Sequence, residues 1–292
     1  MEPTVDHYRP ATDEDVRNLQ ENRATVWPGV LATIVVVAAV AAALGFAIGW
    51  VRMLVVALVV ALVVVVALLA YGLAHLMGRE DVRRCAEELP GCDIFPAQDV
   101  RITAGKKYHY DCAPSDMYPY VVQMNLTKAG FYSFDFLERL FGFHIRNDYT
   151  IRPEWQRLRR GDWMYYHQNG AGTGVVDFKE NEYITTYSDT RYKPTEELAV
   201  AWRPKWMSGF AWTWNFYFEP DEDGEGTCFS SSLQAWWPED TGALTVARLM
   251  VEWGVPSIVM MNKMASKMGH LAEADARARR AGQPRPGYRG RR

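Results

Sequence analysis

Two uninterrupted apolar runs lie near the amino terminus of the chain. Residues 24–51 and 53–78 contain no Asp, Glu, Lys or Arg, and Arg52 alone separates them. Each run exceeds the roughly 20 apolar residues that a helix needs to cross a bilayer core about 30 Å thick. The pattern predicts two membrane-spanning helices within residues 27–78, and they must run antiparallel because the turn around Arg52 is short.

The residues that flank these runs predict how the hairpin is oriented. A cleaved signal peptide does not fit, because the first run is too long and no small-residue cleavage motif follows it. Arginines precede the first run and follow the second: Arg9, Arg17, Arg23, Arg79, Arg83 and Arg84. Since positive residues favour the cytoplasmic side, we expect a plasma-membrane protein with both termini in the cytoplasm.

A period of two marks the second half of the chain. Residues 210–218 alternate so that five aromatic side chains share one face, which is typical of a strand; they are Phe210, Trp212, Trp214, Phe216 and Phe218. The same alternation predicts further strands at residues 163–167, 175–177, 183–187 and 227–237.

Helical periodicity predicts three helices in the same region. One begins at Ser115 or Asp116, either of which can cap it, and a second covers residues 133–140. The longest covers residues 243–272, and Pro256 is expected to bend it or to divide it into two helices. This order of elements predicts an α+β domain in which a curved antiparallel sheet surrounds the long C-terminal helix.

The patterns divide the chain into five parts. A polar segment of residues 1–26 precedes the hairpin of residues 27–78, and residues 79–98 are expected to be a linker. The domain then covers residues 99–272. Residues 273–292 are rich in Arg, Gly and Pro, which predicts a basic disordered tail.

The basic tail has three interpretations. Arg277, Arg279, Arg280 and Arg285 are expected to lie at the membrane surface, where each basic residue gains about 1 kcal/mol from anionic lipids. A solvated tail without a partner is the simpler alternative. Nucleic acid is not an expected partner, because Tyr288 is the single aromatic residue there that could stack on a base.

No cofactor, metal or catalytic residue is indicated by the sequence. The four cysteines have no metal-type spacing and are expected to be ordinary thiols. The spacing of Cys, Ser, Asp and Glu residues around the histidines does not match a catalytic motif; these histidines are at positions 109, 144, 167 and 270. The glycine-rich residues 170–174 and the acidic residues 221–226 are interpreted as hairpin turns, not as phosphate or calcium loops.

Several motifs resemble a polyketide-cyclase-like group of bacterial proteins within the START-like, or SRPBCC, superfamily. The resemblance covers about residues 100–270 and departs at residues 124–128, where a more glycine-rich link is usual. It rests on these segments: Ala113-Pro114-Ser115-Asp116, Ala129-Gly130-Phe131-Tyr132-Ser133, Ile145-Arg146-Asn147, Ile151-Arg152-Pro153-Glu154 and Thr213-Trp214-Asn215-Phe216. The resemblance implies a helix-grip fold with a cavity for lipids, sterols, polyketides or other apolar ligands, and it supplies no catalytic residue.

Aromatic and methionine side chains are the candidates for lining this cavity. Flexible, polarizable thioethers suit an adaptable apolar site, although each of these residues also fits an ordinary core. The candidates are Trp163, Tyr165, Phe210, Trp212, Trp214, Phe216, Trp236, Met250, Met261 and Met264.

Three functions are compatible with the sequence. The leading hypothesis is a bacterial plasma-membrane protein whose cytoplasmic START-like domain binds an apolar ligand, a lipid or lipid precursor. The second is an accessory or structural subunit that docks through its hairpin onto a larger membrane complex, with exposed Trp residues in the segment 202–206 as further contacts. The third, a cyclase or hydrolase acting on an aromatic substrate, needs polar groups converging in the cavity, and the sequence indicates none.

Overall fold

The computed structural model describes residues 27–140, 142–168, 170–189, 207–222 and 224–288, and not the side chains of residues 27–33, 47 and 48. The predicted polar segment 1–26 and the Trp-containing segment 202–206 therefore lie outside the described residues.

Two apolar helices form the amino-terminal part, α1 (Trp27–Ile48) and α2 (Trp50–Leu73). The turn between them lies at Gly49, with a φ of 81° that favours glycine, and not around Arg52 as predicted. Arg52 is instead in the first turn of α2. Gly45 packs against the ring of Trp50, where a Cβ atom would come within 2.6 Å.

Every side chain of α2 from Leu54 to Leu68 is exposed, although almost all are Val, Leu or Ala. A helix with apolar side chains on all sides is more stable in lipid than in water. By length and composition, two helices among the described residues could cross a membrane: α2 and the continuous C-terminal helix Ala243–Arg280. Within α1, the described apolar stretch covers the shorter range Ile34–Phe46.

Six antiparallel strands form one open sheet in the order β1-β6-β5-β4-β3-β2. Their bounds are β1 Ile102–Tyr110, β2 Trp163–Tyr165, β3 Gly172–Lys179, β4 Tyr183–Asp189, β5 Ala211–Pro220 and β6 Thr227–Trp236. The α+β class predicted from the alternation is confirmed. We call the face that carries Phe210 and Phe218 the inner face, and the opposite one the outer face.

The remaining helices are α3 (Arg79–Glu87), α4 (Pro114–Val122), α5 (Asp135–Leu140), α6 (Ala243–Leu249) and α7 (Val255–Arg280). A π-helical segment, Met250–Gly254, joins α6 to α7 without a break. Pro256 lies just after the π-helical segment, and the helix continues through it. The predicted division of the helix at Pro256 is therefore not found, and a π-helical stretch lies just before this residue.

The outer face is covered by residues 79–100, although the sequence pattern predicted a linker at residues 79–98. Arg84 forms an ion pair with Glu219 at 2.6 Å, and the Tyr217 hydroxyl donates to the carbonyl of Pro90 at 2.9 Å. Phe95 packs edge-on against Tyr187, with ring centroids 5.4 Å apart. Residues 79–98 are therefore not a free linker, because they pack against the outer face through Cys85, Phe95 and these polar contacts.

The predicted start of the disordered tail, at residue 273, also lies too far toward the amino terminus. Helix α7 continues to Arg280, and a short 3₁₀ turn covers Pro286–Tyr288. Asp275 is fully buried, and it accepts hydrogen bonds from the Gly287 N–H and the Tyr120 hydroxyl, both at 2.7 Å. Residues 273–288 are therefore packed onto the domain.

Candidate functional site: the inner face and the anchor junction

The predicted cavity residues fall into separate packed clusters. The first cluster contains Trp163, Tyr165, Phe216, Phe218 and Met264, all no more than 6% exposed, with Trp214 and Met261 packed against it. It lies where α4 and the carboxyl-terminal part of α7 cover the inner face.

The second cluster lies at the other end of the inner face, under α6 and the π-helical segment. It contains Phe210, Trp212, Leu249 and their neighbours Met207 and Ala235, with Met250 and Trp253 packed against it. The Trp253 ring lies 5.2 Å from that of Phe210 and 6.2 Å from that of Trp212. Isolated π-helical turns inside helices are frequent at functional sites, which singles out this end.

Trp236 does not belong to either inner cluster. It pairs with Ala211 and packs on the outer face with Ala211, Tyr187 and Phe95. Its assignment to the predicted cavity was wrong, because the inner positions of β6 are the odd-numbered ones whereas those of β5 are even-numbered.

Side chains fill the inner face rather than line an open space around these residues. The rings of Trp214 and Phe216 are 4.8 Å apart and those of Phe210 and Trp212 are 5.2 Å apart. Phe210, Phe216 and Tyr165 are fully buried. A ligand in this position therefore requires side chains to move.

The end of α2 is seated on the inner side of the domain. Gly72 faces α7 so closely that a Cβ atom there would lie 3.1 Å from the Val259 side chain and 3.2 Å from that of Ile258. The chain then passes along the edge of β1, where the Met77 N–H donates to the carbonyl of Gly105 at 3.0 Å. The membrane-type helix and the sheet are thus joined by direct packing and not by a loose tether.

Two polar side chains complete this junction. The last carbonyls of a helix have no partner within the helix. Here the Lys106 ammonium donates to the carbonyls of Gly72 at 2.6 Å and Ala74 at 2.5 Å. The Asn262 amide donates to the carbonyl of Tyr71 and its oxygen accepts from Tyr108 at 2.6 Å. Cationic Lys106 also suits the negative end of the helix dipole.

Lys106 is only 1% exposed. Desolvation lowers its pKa to about 8, because burial disfavours the charged amine. No sequence pattern indicated this residue, since an isolated lysine in a strand is usually solvated. We call Lys106, Asn262 and the α2 carbonyls that they bind the anchor junction.

Three of the four arginines predicted to lie at the membrane surface are paired with carboxylates of the domain. Arg279 contacts the buried Asp116 at 3.0 Å, and Arg285 approaches the same carboxylate at 3.7 Å. Arg280 contacts Asp111 at 2.9 Å. Arg277 is exposed. The predicted lipid-binding role is therefore unsupported for the three paired residues, whose guanidinium groups hold the end of α7 to the domain.

A buried carboxyl group lies outside the predicted site. Glu138 is 4% exposed and accepts a hydrogen bond from the Ser133 hydroxyl at 2.5 Å. Burial raises its pKa to about 7. Within the described part of the chain its second oxygen has no hydrogen-bond partner.

A cleft at the surface of the domain is lined by none of the predicted ligand residues. It has a volume of about 610 Å³ and is open to solvent, and its walls include Pro90, Ser115, Glu182, Tyr217 and Glu219. It therefore lies at the end of the sheet next to the start of α4. Over the ranges that the structure describes, no group of three or more His, Cys, Asp or Glu side chains is placed to hold a metal ion.

Comparison with known proteins adds little to this geometry. The sequence matches no protein-family profile, and no curated protein matches it at a significant level. Among solved structures, one match is the Mll3558 protein from Rhizobium loti, which is 10% identical. The match spans 55% of this chain and 96% of that one, with a TM-score of 0.27. Values this low establish neither a shared fold nor a shared function.

Proposed function

We propose that the protein is a membrane-anchored helix-grip protein that takes up an apolar molecule, a lipid or lipid precursor, between its sheet and its long helix. The observation that carries the proposal is the packing of Gly72, at the end of α2, against Ile258 and Val259. These residues belong to the helix that covers the aromatic inner face. The proposal also rests on the resemblance of the sequence to the START-like superfamily.

This arrangement suits the physics of lipid transfer. Each CH₂ group that leaves an apolar environment for water costs about 0.8 kcal/mol, so an acyl chain cannot cross a long aqueous path. A domain seated directly on the end of a membrane helix keeps that path short. Within the domain we propose the second cluster as the receiving end, because its cover is a short helix followed by a π-helical segment.

Uptake requires the second cluster to open. Phe210 and Leu249 are fully buried and Trp212 is 4% exposed, so a ligand must displace α6 or the Trp253 ring. We expect opening here because the π-helical segment leaves irregular backbone hydrogen bonding above the cluster.

Native mass spectrometry of the full chain released from lipid nanodiscs tests the proposal. We expect one tightly held lipid per chain. Phe210→Ala, which creates space in the second cluster, should change the amount or the chain length of the retained lipid. Phe218→Ala removes an equally buried ring from the first cluster and should leave both unchanged. A chain that releases all lipid, with both variants behaving like the parent, would contradict the proposal.

An accessory role in a larger membrane complex is the second candidate, favoured by the exposed apolar surface of α2 and the tight anchor junction. Gly45 does not add to such a docking surface, because it packs against Trp50 of the same hairpin. Purification in mild detergent should retain stoichiometric partner subunits. Recovery of the protein alone would count against this role.

The inner face gives no support to a cyclase or hydrolase. Lys106 is bound to backbone carbonyls, the Ser231 hydroxyl accepts from the Trp214 indole at 2.9 Å, and the Thr186 hydroxyl donates to the carbonyl of Trp214 at 2.7 Å. These polar groups stabilise the fold and do not converge on a common point.

A further inference from the structure

We propose that residues 243–258, the amino-terminal part of the long helix, form a third membrane contact that lies in the interface of the bilayer. This contact is separate from the α1–α2 hairpin and does not depend on ligand binding. The name interface segment is used below for residues 243–258.

The interface segment is apolar on two opposite sides. Leu249 and Trp253 point into the second cluster, whereas Leu244 is 88% exposed and Val251 is 68% exposed. A helix that carries apolar residues both toward the core and away from it suits a position between protein and lipid. The continuous helix Ala243–Arg280, which contains the interface segment, is long and apolar enough to cross a membrane by length and composition.

The charges of the interface segment are compatible with this position. Arg248 and Glu252 pair with each other at 2.6 Å, one turn apart. Mutual pairing reduces the cost of bringing charged groups into the interfacial region, and long side chains can reach the headgroups from there.

Continuity with α2 identifies the lipid bilayer as the occupant of this surface. Gly72, at the end of α2, touches Ile258 at the end of the interface segment. At 1.5 Å per residue, the 14 residues from Ile258 to Leu244 span about 21 Å. The exposed residues Leu244 and Val251 therefore lie within about 21 Å of the point where the end of α2 meets the domain, a distance less than the thickness of a bilayer core.

Spin labels on the full chain in lipid vesicles test this placement. Labels are placed at Leu244→Cys and Val251→Cys in a background that carries Cys92→Ser and Cys228→Ser, the two cysteines that are not buried. Phe136→Cys provides a matched control, because Phe136 is 63% exposed on α5, a helix of the domain outside the interface segment. Relaxation by oxygen reports contact with lipid, and relaxation by a water-soluble nickel complex reports contact with water.

We expect the ratio of oxygen to nickel accessibility to be several times greater at positions 244 and 251 than at position 136. Equal ratios at the three positions would overturn the proposal, because the interface segment would then face water. Low accessibility to both reagents at positions 244 and 251 would also overturn it, because a protein partner would then cover the segment. A failure of lipid retention in native mass spectrometry would leave this result unchanged, so the two proposals can be separated.

Discussion

The two ends of the inner face differ in how they are held. At the first cluster, packing is reinforced by buried polar contacts, such as the hydrogen bonds from Tyr120 and Gly287 to Asp275. At the second cluster, Phe210 and Leu249 are equally buried, but their cover is a short helix followed by a π-helical segment with an exposed outer side. Burial alone therefore does not distinguish the two ends, and the proposed opening rests on the cover of the second cluster, a short helix and a π-helical segment.

The largest expected effect separates the two clusters directly. Phe→Ala changes in a core cost about 3–5 kcal/mol, and we expect Phe218→Ala to lower the free energy of global unfolding by that amount. Phe210→Ala should cost less globally, because the region under α6 opens before the rest of the domain unfolds. Denaturant unfolding of the full chain in detergent measures the free energy of unfolding of both variants. Equal losses in the two variants would show that the two clusters do not differ in this respect.

The next effect concerns the polar contacts of the first cluster. Asp275→Ala leaves the Tyr120 hydroxyl and the Gly287 N–H without their acceptor, at a cost of about 1–3 kcal/mol for each buried group. We expect residues 281–288 to be released, so that trypsin cleaves rapidly after Arg280; Arg285 is not a site because Pro286 follows it. Asp240→Ala, at an exposed position, serves as the control. Unchanged cleavage of the Asp275 variant would show that the tail is held by other contacts.

A smaller effect is expected at the anchor junction. Lys106→Met keeps most of the side-chain volume but removes the donor to the carbonyls of Gly72 and Ala74, a loss of about 1–3 kcal/mol. Hydrogen exchange of residues 74–77 should accelerate while that of the first cluster stays unchanged. Lys107→Met removes a half-buried lysine that pairs with Asp81 at 2.8 Å and should have little effect there.

The protonation of Lys106 gives this junction a pH dependence. Its pKa in the folded protein is about 8, below the ordinary value of 10.5. Between these values the unfolded chain binds more protons, so stability should rise as the pH increases from about 8 to 10.5. Lys106→Met should flatten that rise, as measured by denaturant midpoints across the pH range.

A pH dependence of opposite sign and similar size is expected from Glu138. Its pKa is raised from 4.5 to about 7 by burial, so the folded state binds the extra proton in this range. The stabilising contribution is complete below pH 4.5 and is lost as the pH rises through 7. Glu138→Gln should remove this slope, and Glu154→Gln, at an exposed position, should preserve it. A slope that persists in Glu138→Gln would assign it to another group.

The sequence predicted correctly those helices and strands whose pattern depends only on neighbouring residues. The alternation at 210–218 corresponds to β5, and the helical spacing from residue 243 corresponds to α6 and α7. The phase between two strands is not a local property, so Trp236 was placed on the wrong face of β6. The turn between the two apolar helices was predicted three residues too late. The prediction followed the charge of Arg52, whereas the chain turns at Gly49, which adopts a positive φ.

Long-range contacts account for the other errors. Residues 79–98 look like a linker because the contacts that fix them come from distant strands, for example Pro90 with Tyr217 and Arg84 with Glu219. The arginines near the carboxyl terminus look solvated because their partners, Asp111 and Asp116, lie more than 160 residues earlier. The role of Lys106 likewise depends on a helix end that sequence spacing does not bring near it.

One measurement tests most directly the central claim that the end of α2 is fixed against the helix that covers the inner face. Gly72→Cys and Val259→Cys are combined in a chain lacking Cys92 and Cys228, and disulfide formation is followed in native membranes. The close packing of Gly72 against Val259 predicts rapid and nearly complete cross-linking. The pair Leu62→Cys and Val259→Cys, displaced by about 15 Å along α2, should not cross-link. Absence of the 72–259 cross-link, or equal cross-linking of both pairs, would contradict the account.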